Sequence, residues 1–167
     1  AKTFSLAMQI AQEMGILNQG DLVVQTAGTL TGISGSTDLI KVGLVRKIVS
    51  RGISIGEIGV TGKARIIKNN LDMSLICPGE ILFVPEELMK NIPLSKNIAG
   101  VVTNQNVNDV YALFNKNNKK ISTICNLENM DNHHISNGDL ITLQLNEGVV
   151  YMGQIQDDDA IDKYKYV

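Results

Sequence analysis

Gly28, Gly32 and Gly35 interleave with Ser34, Ser36 and Thr37 in the stretch TAGTLTGISGST, and these residue types at this spacing suggest anion chemistry. Glycine adopts positive φ without steric cost, and hydroxyls beside backbone N–H groups complete a concave set of donors, so the segment could cradle a phosphate or carboxylate. A plain connection between two strands has the same composition, and the residues alone leave both readings open. The nucleoside-triphosphate loop is excluded. It requires Lys followed by Ser or Thr after its second glycine, whereas Ser36 and Thr37 follow Gly35 with no lysine.

Other residues that could do chemistry have simpler explanations. His133 and His134 are the only histidines. Neighbouring side chains point apart in regular structure, and the surrounding stretch Met130 to Asn137 offers only Asp131 as an acid, so a solvated loop is expected rather than a metal site. Asp157, Asp158 and Asp159 lack the glycine turn and closing glutamate of a calcium loop, which makes residues 156–167 an acidic tail. Cys77 and Cys125 form no C-x-x-C pair and are expected to be buried, reduced thiols. No metal site and no cofactor are expected in this segment.

The chain has 167 residues, 44% of them hydrophobic, enough for one good-sized core or two small ones. Aromatic residues make up 4% with no tryptophan, so that core is aliphatic. Fifteen basic residues against 17 acidic ones leave a net charge of −2 with no basic block, which argues against nucleic acid or an anionic membrane as partner. No apolar run reaches ~18 residues and the N-terminus lacks signal-peptide character, so a cytoplasmic location is expected.

The elements that must position the glycine-rich turn follow from periodicity. Phe4, Ala7, Met8, Ala11 and Met14 repeat at helical spacing, with Thr3 as N-cap and Gly15 as terminator. Leu22, Val23 and Val24 form one strand, and Leu39, Ile40, Val42, Leu44 and Val45 another. This helix–strand–turn–strand unit is too small to bury both faces of a sheet, so its remaining strands are expected elsewhere in sequence or on another chain. Arg46 to Gly56 reads as a polar boundary. Beyond it, strands are expected over Val60 to Ile67, Glu80 to Val84, Ile98 to Thr103 and Ile121 to Cys125, with helical patterns over Glu86 to Ile92 and Asn108 to Asn115. A closing hairpin pairs Leu140 to Leu145 with Val149 to Gln154. The fold class is α/β.

Residues 1–50 resemble the end of the C-terminal domain of pyruvate kinase. The resemblance is carried by GDLVV, TAG, Gly32, Gly35-Ser36-Thr37 and Lys41-Val42. The family reads GDLVVVTAG, a proline, then G-x-x-G-T-T-N, so this chain departs at Leu30 and Asp38. The resemblance implies that Gly32, Ser34, Gly35, Ser36 and Thr37 form part of a sugar-phosphate effector site, beside which Asp38 adds negative charge. It also implies that the catalytic barrel, with its magnesium and potassium sites, belongs to other parts of the parent chain, and that the parent is a homo-oligomer.

Residues 53–155 are similar to the mobile phosphohistidine domain of phosphoenolpyruvate-utilising enzymes, a β/β/α swivelling fold that some bacterial pyruvate kinases carry as an extra C-terminal domain. VTGKARII, PGEILFVPEE, IAGVVTNQ, NGDLITL and EGVVY carry this second resemblance. In phosphotransferring members a G-G-L-T-S-H segment follows the strand that corresponds to Val101-Val102-Thr103. Read without gaps, Tyr111 stands at the histidine, both glycines are absent, and Asn126 replaces a further glycine. A phenol keeps its proton near neutral pH, where imidazole presents a free nitrogen, so the catalytic role is lost. Val107, Val110, Tyr111 and Phe114 fall at helical spacing with Asn108 as cap, which predicts that Tyr111 packs on the sheet.

The leading expectation is therefore a non-catalytic C-terminal portion of a pyruvate kinase, inactive alone and structural or regulatory in role. Two alternatives are a phosphohistidine swivelling domain of a phosphoenolpyruvate-dependent phosphotransferase and a free-standing binding or scaffold module.

Overall fold

The computed structural model describes residues 2–28, 39–131 and 134–154, and it divides the chain into two compact units. Among the described residues, one unit runs up to Lys47 and the other begins at Ile48.

In the first unit, helix α1 spans Lys2–Glu13, so Thr3 lies inside it rather than capping it. Gly15 ends the helix at φ +72. Its N–H reaches the Gln12 carbonyl at 3.1 Å while Ile16 N–H reaches that of Ala11 at 2.9 Å, the paired bonds of a left-handed helix terminus. Strands β1 (Leu22–Ala27) and β2 (Leu39–Leu44) then pair antiparallel from Leu22↔Leu44 to Ala27↔Leu39. Met8 covers Gly43, where a Cβ would lie 3.3 Å from the methionine sulfur, so that face of the ribbon sits under α1.

The second unit begins with β3 (Ile48–Arg51) and β4 (Ile53–Ile55), where the sequence suggested a polar boundary. Ile48, Val49, Ile53 and Ile55 supply the strand pattern, and Gly52 is a crossing point rather than a linker. Next come β5 (Val60–Ile66), a 3-10 helix over Asn70–Leu75, β6 (Ile81–Phe83) and a second 3-10 helix over Glu86–Asn91. They are followed by β7 (Gly100–Val102), α2 (Val107–Lys116), β8 (Thr123–Cys125), β9 (Leu140–Gln144) and β10 (Val149–Met152).

The strand order is β3-β10-β9-β5-β6-β7-β8-β4. Because only Gly52 separates the two terminal strands, the series of pairings closes on itself. Strand β5 serves two sheets: Val60 to Lys63 pair antiparallel with β9, and Ala64 to Ile66 pair parallel with β6. One sheet is thus antiparallel. The other is parallel through β5, β6, β7 and β8, with β4 antiparallel at its edge.

Alternation along the buried strands builds two cores. Ala64, Ile81, Phe83, Val102, Ile124, Ile141, Leu143 and Val150 fill the space between the sheets. Leu82, Val84, Val101 and Cys125 face the other way and pack against Met89, Val110 and Phe114 of the helical segments. Three layers result, antiparallel sheet, parallel sheet and helices.

A polar pin joins β5 to the start of β6. Arg65 Nε donates to Glu80 Oε2 at 3.1 Å and Nη2 to Oε1 at 2.8 Å, and Cys77 N–H adds a bond to Oε2 at 2.9 Å. Burial by itself would raise the Glu80 pKa. The Arg65 and Cys77 hydrogen bonds, with the charges of Arg65 and Lys63, outweigh it and hold the carboxyl below its ordinary range. A depressed carboxylate pKa gives stability that is complete above the unfolded value and lost as pH falls through the folded value. Glu80→Gln is expected to cost about 1–3 kcal/mol at pH 7 in urea unfolding. Its penalty should shrink as the medium is acidified through the lowered pKa of the folded carboxyl, where the wild-type group also gains its proton.

Candidate functional site

At the carboxyl ends of β7 and β8 two short segments are tied together. Asn126 N–H donates to the Gln105 carbonyl at 2.8 Å, Leu127 N–H to that of Thr103 at 3.3 Å, and Gln105 N–H to Thr103 Oγ1 at 3.1 Å. Asn126 has φ +60, a left-handed conformation that asparagine tolerates better than most residues, so the position keeps a glycine-like backbone without glycine. Ends of parallel strands beside a helix start are where α/β folds commonly hold ligands.

The start of α2 is already satisfied from within. Asn106 is the N-cap, two residues before the expected Asn108: its Oδ1 accepts Asp109 N–H at 2.9 Å and its Nδ2 donates to Asp109 Oδ2 at 2.6 Å. The pattern Asn106-x-x-Asp109 was available in sequence as a capping signal. The Asp109 carboxylate takes up the favourable field of the helix start, which an incoming phosphate would need, and repels that phosphate.

Tyr111 does not pack on the sheet. It is 42% exposed, whereas Val110 and Phe114 are fully buried, with Val107 and Leu113 packed against the same core. The buried stripe of α2 therefore runs to the Leu113 side of Phe114 and leaves Tyr111 on the outer flank.

Beside these segments lies a groove of about 740 Å³, walled by Ile48 to Gly52 on one side and Asn126 to Asn129 on the other. Ser50 Oγ is buried in one wall without a hydrogen-bond partner, as is Gln105 Oε1 in the adjoining loop. The walls contain neither histidine nor cysteine; their polar side chains are Ser50, Arg51, Asn126, Glu128 and Asn129. The sequence reading missed this groove because it treated residues 46–56 as a boundary; the Ile48-Val49 pair and the alternation of Ile53 with Ile55 were the available signals.

Gly32, Ser34, Gly35, Ser36 and Thr37 lie outside the described residues, as does His133. The strands that flank the first five are paired up to Ala27↔Leu39, so both ends of their connection start side by side. His134 is exposed at φ +48. Cys125 is buried, and burial raises its thiol pKa. Cys77 is exposed, contrary to expectation: it sits in the connection between the first 3-10 helix and β6 and not in a strand. Among the described residues, no helix is long and apolar enough to cross a membrane.

Residues 1–43 match the family model described as pyruvate kinase, alpha/beta domain. Pyruvate kinase 2 of Synechocystis sp. is 34% identical over 155 residues, covering 93% of this chain and 26% of the relative. The chain is similar to a pyruvate kinase C-terminal region. Pyruvate kinase of Staphylococcus saprophyticus is 29% identical over 88% of the chain and 25% of its own length. The chain thus spans about a quarter of the length of these curated pyruvate kinases. Among solved structures, a UPF0107 protein determined in solution aligns over 65% of this chain and 97% of its own, at 12% identity and a TM-score of 0.38.

The two sides of α2 should respond differently to truncation. Phe114→Ala is expected to destabilise the second unit by about 3–5 kcal/mol, and Tyr111→Ala by less than about 1 kcal/mol. Urea unfolding followed by far-UV circular dichroism compares the two.

Proposed function

We propose that this chain acts as the non-catalytic C-terminal region of a pyruvate kinase. Residues 1–50 form part of the effector and subunit-contact domain, and residues 53–155 form an inactive unit of the phosphohistidine-like, phosphoenolpyruvate-utilising mobile type with a structural or regulatory role. Residues 156–167 follow as an acidic tail. The parent enzyme transfers phosphate from phosphoenolpyruvate to ADP in the cytoplasm. The observation that carries this reading is that similarity to one pyruvate kinase runs through 93% of the chain and therefore spans both units.

The second unit's own residues argue for inactivity. Tyr111 is a phenol on the outer flank of α2, and Asp109 occupies the helix start. Magnesium and potassium serve the barrel in the resembled family and belong to the parent enzyme. In the first unit, the segment with Gly32, Ser34, Gly35, Ser36 and Thr37 forms one side of a site for an anionic sugar-phosphate effector, and the other side comes from the rest of the parent, which is itself a homo-oligomer.

Half of such a site binds weakly. Each charge-assisted hydrogen bond to phosphate is worth about 1.5–3 kcal/mol, so losing half of them removes several powers of ten in affinity. The purified chain is expected to show no turnover in an assay coupled to lactate dehydrogenase. In calorimetry it should not bind ribose 5-phosphate or fructose 1,6-bisphosphate below the millimolar range. A parent-length protein should bind one of them and lose affinity on combining Ser36→Ala with Thr37→Ala. Turnover that follows the purified chain, or indifference of the parent to the double substitution, would contradict the reading.

A further inference from the structure

Strand β5 loses its antiparallel neighbour halfway along. Pairing with β9 ends at Lys63↔Leu140, while Ala64 to Ile66 pair with β6 on the other edge. A turn over Ser136 to Asp139 takes over the edge that β9 leaves. Ala64 N–H donates to the Asp139 carbonyl at 2.8 Å, Gly138 N–H to the Ala64 carbonyl at 2.9 Å, and Ile66 N–H to Asn137 Oδ1 at 2.7 Å. The Asn137 side chain thus supplies the last rung. Asp139 N–H closes the turn on the Ser136 carbonyl at 3.1 Å, and Ser136 N–H donates to Asp139 Oδ2 at 2.8 Å. Gly138, at φ +90, takes the position that a type II turn reserves for glycine.

Asn137-Gly138 is the only Asn-Gly pair in the sequence, and it is exposed. Gly138 carries no Cβ to hinder its nitrogen. Once that nitrogen loses its proton to solvent it attacks Asn137 Cγ. The new N–Cγ bond closes a cyclic imide, the Cγ–Nδ2 bond breaks, and the amide group regains a proton and leaves as ammonia. Water then opens the imide at either carbonyl. Breaking the bond to Cγ gives aspartate, and breaking the bond to the former main-chain carbonyl gives isoaspartate, whose backbone runs through Cγ. Water is consumed, ammonia is released, and nothing is oxidised or reduced.

We propose that Asn137 is a site of spontaneous deamidation gated by the β5 edge, and that one of its two products keeps the edge from closing again. The gate is the pair of bonds to Ala64 and Ile66. An amide held by a carbonyl gives up its proton only when that bond opens, and Ile66 N–H holds the Asn137 carboxamide on the strand. Reaction therefore needs the turn to lift off β5. From the aspartate product the turn returns, because a carboxylate oxygen accepts Ile66 N–H at least as well. Isoaspartate inserts a methylene into the main chain ahead of Gly138, so Gly138 N–H and the Asp139 carbonyl no longer meet Ala64 together. A transient opening is thereby recorded as a lasting break in the edge.

The test ages the purified chain in mildly alkaline buffer, both native and unfolded in urea. Peptide mapping by mass spectrometry, with isoaspartyl methyltransferase labelling, follows conversion of Asn137. The native chain should convert at least about tenfold more slowly than the unfolded one. Asp139→Ala, which removes the bond from Ser136 N–H, should speed native conversion by about threefold or more and leave the unfolded rate unchanged. If that variant does not fold, wild-type chain in urea below its unfolding transition replaces it, and its rate should rise with urea. Hydrogen exchange then compares the isoaspartate-containing fraction with Asn137→Asp: the first should lose protection at Ala64 and Gly138, and the second should keep it. Native conversion as fast as unfolded, or a rate indifferent to the loosened turn, overturns the gate. Conversion at other asparagines while Asn137 stays intact in the unfolded chain overturns the site. Equal protection in the isoaspartate fraction and in Asn137→Asp overturns the lasting break.

Discussion

The second unit depends on one close approach of backbones. Strands β3 and β4 belong to different sheets and are joined by Gly52 alone, whose N–H donates to the Gly148 carbonyl at 2.9 Å. A Cβ on Gly52 would drive into the carbonyl oxygen of Cys125, and one on Gly148 into the carbonyl of Gly52. Gly148 also needs positive φ, at +67. Only glycine at both positions lets β3 continue into β4, so that the two sheets share a seam and enclose the core of Ile81, Phe83, Ile141 and Leu143.

That seam also shapes the ligand-sized feature of the unit. Past Gly52, β4 runs beside β8, whereas β3 follows β10. The segment after β8 turns off at Asn126, and the groove is the space left between it and β3. A phosphoryl-carrying site in such a place needs close backbone approach, a helix start free to meet an anion, and a nucleophile. Asn126 keeps the backbone form, but the Asn106–Asp109 cap closes the helix start and Tyr111 turns outward.

Legibility in sequence followed the strength of local patterning. Strands β6 and β8 could be placed because a strand buried on both faces reads as a continuous apolar run, as in Ile81-Leu82-Phe83. The β9–β10 hairpin could be placed from its glycine-bearing turn. The β3–β4 pair was missed because Arg51, Gly52 and Gly56 look like a linker, and a strand that changes sheets has no local signature. The burial of α2 was legible for Val110 and Phe114 but not for Tyr111: both flanks of the stripe satisfy helical spacing, and the tertiary contacts chose Leu113. For the first unit, the excess of aliphatic residues was visible, but which face lay open depended on where α1 docked.

The central claim is that the second unit carries no phosphate on itself. Incubating the purified chain with phosphoenolpyruvate and a phosphoryl-donor partner protein, followed by mass spectrometry under conditions that preserve phosphohistidine, addresses it directly. The account predicts no acid-labile phosphate anywhere on the chain, and none after Tyr111→His, because the glycine approach is missing as well. Stoichiometric phosphorylation of His133, His134 or Tyr111 in the wild-type chain would contradict it.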